Sequence, residues 1–217
     1  MAGVISPFGN NPTGTAGGSL TGTYPNPGIG AGVITIPNLA ASAAPPWAPA
    51  DNGLLAANAD PYVLTTALIA TAGTLYLAKL SARSAYTATN IWVGVSTAGA
   101  GASTGSFVGL YNSSGTLLSG TADIGASLLA TGPVSTALTT PQSLAAGSFV
   151  WVAFLVNLAV TQPLMFRGVP LGSMGNVNLA ASAFRFATNG AGLSALPGSI
   201  TPASNAGTGE TLWVGIN

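Results

Sequence analysis

Alternation of apolar and polar positions is strongest in two short stretches. In Ile91-Trp92-Val93-Gly94-Val95, the two-residue period of a strand puts Ile91, Val93 and Val95 on one face and Trp92 with Gly94 on the other. Leu212-Trp213-Val214-Gly215-Ile216 repeats the pattern, with Leu212, Val214 and Ile216 inward and Trp213 with Gly215 opposite. A third stretch, Phe149 to Val156, is apolar on both faces. A strand covered on both sides in an antiparallel sheet needs a second layer beyond the core, and a neighbouring subunit is the expected cover. Val152 and Phe154 are accordingly predicted to pack against a second copy, together with Trp92 and Trp213 at a packed surface.

Further strands are predicted near Tyr62–Ala70, Thr74–Ser81, Asn90–Ser96, Phe107–Tyr111, Leu117–Leu118, Ser135–Leu138, Leu164–Phe166 and Asn176–Phe186. Ala72-Gly73, Asn112-Ser113-Ser114-Gly115, Ala146-Gly147 and Asn189-Gly190 supply turn chemistry between them. Leu179–Phe184 is rich enough in alanine to be a short helix instead. Many short strands with this punctuation predict an all-β fold, an antiparallel, jelly-roll-like sandwich over residues 51–217. Residues 1–50 carry no charge and are dense in Gly and Pro, as in Asn11-Pro12, Pro25-Asn26-Pro27 and Pro45-Pro46. Such a stretch supports neither a long helix nor a central strand, so an extended, irregular N-terminal arm is expected.

Composition removes most chemistry. The 217 residues include no Cys and no His, which excludes disulfides, thiolate metal sites and any triad with an imidazole base. The charged residues are Asp51, Asp60, Lys79, Arg83, Asp123, Arg167, Arg185 and Glu210. No two carboxylates stand at a motif spacing, so no enzyme and no cofactor is predicted. One lysine and three scattered arginines cannot neutralise a run of phosphates, and nucleic acid is excluded as a partner. No apolar run approaches the ~20 residues of a spanning helix, and the start lacks a basic, long-apolar signal pattern; neither membrane insertion nor secretion is expected. Only 4 % of residues are charged, where about a quarter is usual. A surface so poor in charge is weakly protected against self-association, so an obligate oligomer is expected.

Gly17-Gly18-Ser19-Leu20-Thr21-Gly22-Thr23-Tyr24-Pro25-Asn26-Pro27-Gly28-Ile29 resembles a motif that recurs in bacteriophage tail-fibre and related virion proteins. Ser19 departs from the commoner Asp at that position. In the resemblance, Gly17, Gly18, Leu20, Gly22, Tyr24, Pro25, Asn26 and Pro27 serve assembly, with Leu20 and Tyr24 pointing to a shared axis. Leu75–Leu80, Gly99–Gly101, Gly109–Leu118 and Ala146–Phe154 are similar to a jelly-roll domain of minor tail proteins from phages of actinobacteria. The resemblance implies a virion structural protein, a homotrimer attached to other virion proteins through its arm. Its place is a tail fibre or minor tail protein that contacts the host surface. The alternative is a capsid decoration protein or head fibre. A depolymerase is disfavoured, because those spikes are long and rich in carboxylates. For a host-surface glycan, Trp47, Tyr111 and Asn112 are the candidate contacts, since sugars stack on aromatic faces and amides hold their rims. The competing reading puts these side chains in cores and subunit contacts.

Overall fold

The structure, a computed structural model, describes residues 15, 17–18, 20–23, 27–30, 47–64, 66–103, 105–168, 172–209 and 211–217. The chain divides into two units, Met1–Pro46 and Trp47–Asn217. In the first, β1 (Leu20–Thr21) pairs antiparallel with β2 (Gly28–Ile29), and Thr15 bridges Thr23. Gly18 and Gly22 both take positive φ, 67° and 89°, a conformation that explains glycine at these two motif positions. Tyr24, Pro25 and Asn26 lie outside the described residues.

In the second unit, chain order gives β3 (Ala56–Ala57), β4 (Thr66–Ile69), β5 (Tyr76–Ser81), β6 (Tyr86–Thr97), β7 (Phe107–Asn112), β8 (Leu117–Gly120) and β9 (Gly132–Leu144). There follow β10 (Phe149–Leu155), β11 (Leu164–Arg167), the single helical turn α1 (Gly172–Gly175), β12 (Phe186–Thr188), β13 (Ala206–Gly207) and β14 (Val214–Ile216). Strand makes up 45 % of the structure, no helix among the described residues reaches seven residues, and the protein is all-β.

The pairing is nested. β7 pairs with β8, β6 with β9, β5 with β10 and β4 with β11, all antiparallel. An eight-stranded ribbon folded on itself in this way separates into two four-stranded sheets, β5-β10-β7-β8 and β4-β11-β6-β9. That is the winding of a jelly roll, which hides most strand edges by doubling the sheet. β12 and β13 extend the first sheet beyond β5. In the second sheet β6 carries β9 along one edge, and β14 and β11 share the other, β14 at residues 91–93 and β11 at 95–97. Residues of all three zones predicted around Ile91, Leu212 and Phe149 therefore meet in one sandwich.

The core between the sheets follows the alternation. Ile91, Val93, Val95, Leu212, Val214 and Ile216 face Ala78, Leu80, Val108, Leu110, Val150, Val152 and Phe154. Val152 and Phe154 have no exposed surface in a single chain. They belong to the intramolecular core, which corrects their expected role in subunit packing. Each such buried side chain contributes roughly 1.5–3 kcal/mol of hydrophobic stabilisation.

Several predicted strands moved. Pro61–Val63 forms a 3-10 turn, leaving strand only at Thr66–Ile69. Asn176–Phe186 holds a 3-10 turn at Ala181–Ala183 and strand from Phe186 onward. β6 and β9 are longer than predicted, because each is the other's partner over most of its length.

Candidate functional site

The two sheets differ in what lies on their outer faces. On the β10 sheet, the outward residues Leu75, Leu77, Tyr111, Trp151, Ala153 and Leu155 are all buried. Their cover is the chain's own segment 189–205, with Leu193, Leu196 and Ile200 packed onto them and Phe184 beside them. Hydrogen bonds strap it down. Leu193 N donates to Gly73 O (3.0 Å), Leu117 N to Gly198 O (3.0 Å) and Ile200 N to Gly115 O (2.8 Å). Asn157 Nδ2 donates to Leu193 O at 2.9 Å, and Trp151 Nε1 to Phe184 O at 3.2 Å. Gly105 and Gly115, at φ 125° and 89°, lie directly beneath; a Cβ on either would run into the Ser194 or Ile200 carbonyl. The second layer that β10 demands is therefore intramolecular, a correction to the neighbouring-subunit expectation.

This strap decides two of the predicted glycan contacts. Tyr111 is fully buried, and its hydroxyl donates to Pro197 O at 2.6 Å. Burial pushes its phenol well above the ordinary value. Asn112 spends its side-chain oxygen on the β7–β8 turn, accepting from Ser114 N, Ser114 Oγ and Thr116 N at 3.1, 2.7 and 2.9 Å. The Tyr111 hydroxyl and the Asn112 side-chain oxygen are therefore spent on the fold, and both residues are corrected to structural roles. Trp47 is half-buried and donates from Nε1 to Asn52 Oδ1 at 2.8 Å.

The β6 sheet's outer face is built differently. Trp213 is buried there, its Nε1 donating to Ala59 O at 3.0 Å, and Trp92 is half-buried, donating to Asn217 Oδ1 at 3.0 Å. The glycine two residues after each tryptophan makes room for a neighbour. A Cβ on Gly94 would stand 3.0 Å from Phe166 Cδ2, and one on Gly215 would stand 2.9 Å from Leu54 Cδ1. The result is a groove of about 210 Å³ lined by Pro61, Leu64, Pro133, Phe166 and Trp213. A second hollow of about 190 Å³ shares Pro61, Pro133 and Trp213 and reaches Trp92. Beside it in the chain, Leu55, Tyr62 and Val63 are exposed, Tyr62 by 93 %. Only the backbone of Tyr62 is engaged, its N–H donating to Asp60 Oδ1 at 2.9 Å.

Of the site residues predicted in the second unit, the fold brings Trp92 and Trp213 onto one face, while Val152 and Phe154 lie in the core and Tyr111 lies under the strap. Sequence reasoning missed Phe166, Pro61 and Pro133, because no periodicity ties residues 61, 133 and 166 together; the β6-β9 and β6-β11 pairings bring strands 132–144 and 164–167 to β6, and the turn at 61–63 meets them at the groove. Among the described residues no group of three or more His, Cys, Asp or Glu side chains could hold a metal, and no helix is long and apolar enough to cross a membrane. The fold and face define an antiparallel jelly-roll sandwich with one self-sealed sheet and one apolar, grooved sheet. In comparison with known proteins, the chain matches no family model and no curated sequence.

Proposed function

We propose that this chain is a non-enzymatic structural protein of a bacteriophage particle, a tail-fibre or minor tail protein that helps contact the host surface. In this reading the jelly-roll unit is the outward head. The N-terminal segment attaches it to other virion proteins, and three copies associate. The observation that carries the reading is the virion-fibre-like segment Gly17–Ile29 joined to a jelly-roll head in a chain only 4 % charged. A head so poor in charge gains solubility by covering apolar surface with its own copies. The grooved β6 face with exposed Leu55, Tyr62 and Val63 supplies such surface. Trp92 and Trp213 belong to that face, and Trp47 remains a candidate for a glycan.

Purified virions test this reading. Antibodies against residues 47–217 should decorate the tail, and densitometry should give a handful of copies per particle. A copy number tied to icosahedral symmetry, with capsid labelling, would make it a decoration protein or head fibre. Absence from the particle would overturn the reading altogether.

A further inference from the structure

Only four residues in the chain are basic, and three of them, Lys79, Arg83 and Arg185, line a single cavity of about 320 Å³. Topology brings them together. β12 pairs with β5 over Tyr76–Ala78, and at its end Lys79 N donates to Arg185 O at 2.8 Å, setting residue 185 beside residue 79. β5 then runs on to Ser81, and the turn after it carries Arg83. Strand alternation turns the Ser81 amide to the same edge as that of Lys79, past the end of β12.

Among the described residues, no carboxylate lines this cavity. The Lys79 ammonium rests 4.0 Å from the Phe149 ring centroid and donates to Ala183 O at 3.4 Å, neither of them a negative charge. Burial, and then the nearby Arg185 guanidinium, hold the Lys79 pKa below its usual value. An oxyanion placed among them would relieve that repulsion, and guanidinium groups suit carboxylate and phosphate geometry.

A second cavity of about 300 Å³ shares Arg185 and Asn58 with the first and has Met174, Ala59 and Phe186 in its wall. Asn58 is committed to the fold, donating to Leu212 O and accepting from Val214 N. Each volume is near the lower end of small-ligand sites, about 300–1,000 Å³. A cationic hollow against an apolar one matches a ligand with an acid group on a ring that has an apolar face.

We propose that Lys79, Arg83 and Arg185 bind the carboxylate or phosphate of an acidic glycan, with its sugar ring against the wall formed by Met174 and Phe186. The choice of a glycan rests on the host-surface reading above; the anion site itself does not.

Calorimetric titration of the full-length chain tests it, with a glucuronate oligosaccharide, a glycerol-phosphate oligomer, a neutral glucose oligomer, a polyglutamate peptide and sodium phosphate as ligands. At least one of the two acidic oligomers should bind, weakening with added salt. The double variant Arg83→Gln/Arg185→Gln should lose about tenfold or more in affinity. Its melting temperature should be unchanged, because both side chains are exposed. In the complex the Lys79 pKa, followed by NMR, should move back up. Absence of binding by both acidic oligomers, or binding indifferent to the double variant, would overturn the site. Equal binding of the neutral oligomer, or tighter binding of polyglutamate or phosphate alone, would overturn the glycan assignment. Since purified chain is used, its absence from virions would remove the functional reading without altering these results.

Discussion

The outer faces of the two sheets are both rich in aromatic residues, yet they are treated in opposite ways. Trp151 and Tyr111 on the β10 sheet vanish beneath residues 189–205, with their polar atoms bonded to the chain's own carbonyls. Trp92 and Trp213 on the β6 sheet border a groove, and the neighbouring Tyr62 and Val63 stand in solvent. The difference separates two demands that a sequence pattern merges. Apolar residues on both faces of a strand require a cover, but they do not say which chain supplies it. Here the strap fills that role on one side, so any cover from other copies belongs on the other.

The largest loss is expected from charge placed in the core. Val152→Asp or Phe154→Asp buries an unpaired charge inside the sandwich, costing several kcal/mol, comparable to the ~5–15 kcal/mol of a whole domain. Far-UV circular dichroism should show loss of the fold itself. A folded variant with only its oligomeric mass changed would return these residues to a subunit interface.

Changes at the strap cost less. Gly115→Ala forces a side chain into a positive-φ position and against the Ile200 carbonyl, at about 1–3 kcal/mol. Hydrogen exchange should show the Ile200 amide losing protection while the β6–β9 ladder keeps it; uniform loss would mean that the strap is not a separate layer. Tyr111→Phe removes the bond to Pro197 O and should cost roughly 0.5–1.5 kcal/mol in urea unfolding at neutral pH. pH adds a signed test. The folded Tyr111 phenol keeps its proton where an unfolded phenol, near 10.0, releases it. The folded state then binds more protons, so this contribution is full below about pH 10 and declines above it. Tyr111→Phe should lack that alkaline decline. Smallest of all for the fold of the single chain, Tyr62→Ser/Val63→Ser should change its stability by no more than about 0.5 kcal/mol, read by hydrogen exchange at concentrations low enough to dissociate the parent assembly, because Tyr62 and Val63 are 93 % and 55 % exposed.

Much of this architecture was legible in the residues. The alternation at Ile91–Val95 and Leu212–Ile216 placed the core face correctly, and those strands are direct partners. The burial of β10 on both faces was legible as well. Its cover was not, because residues 189–205 read as a Gly-, Ser- and Pro-rich loop with three isolated apolar residues, Leu193, Leu196 and Ile200. No period marks a segment that packs by hydrogen-bonded turns instead of by strand pairing. Tyr111 and Asn112 misled for a related reason, since turn amides and sugar-binding amides share a composition. The basic cavity was equally hidden: residues 79, 83 and 185 become neighbours only when β12 docks on β5.

One sheet face is sealed from within, and we propose that the other is left for a second copy of the chain. Sedimentation equilibrium of the full-length protein, run beside Tyr62→Ser/Val63→Ser, decides between these arrangements. The account predicts a parent assembly of three times the 21.1 kDa chain mass, and a folded variant shifted toward one chain. A parent protein that stays soluble, folded and monomeric at micromolar concentration would contradict it.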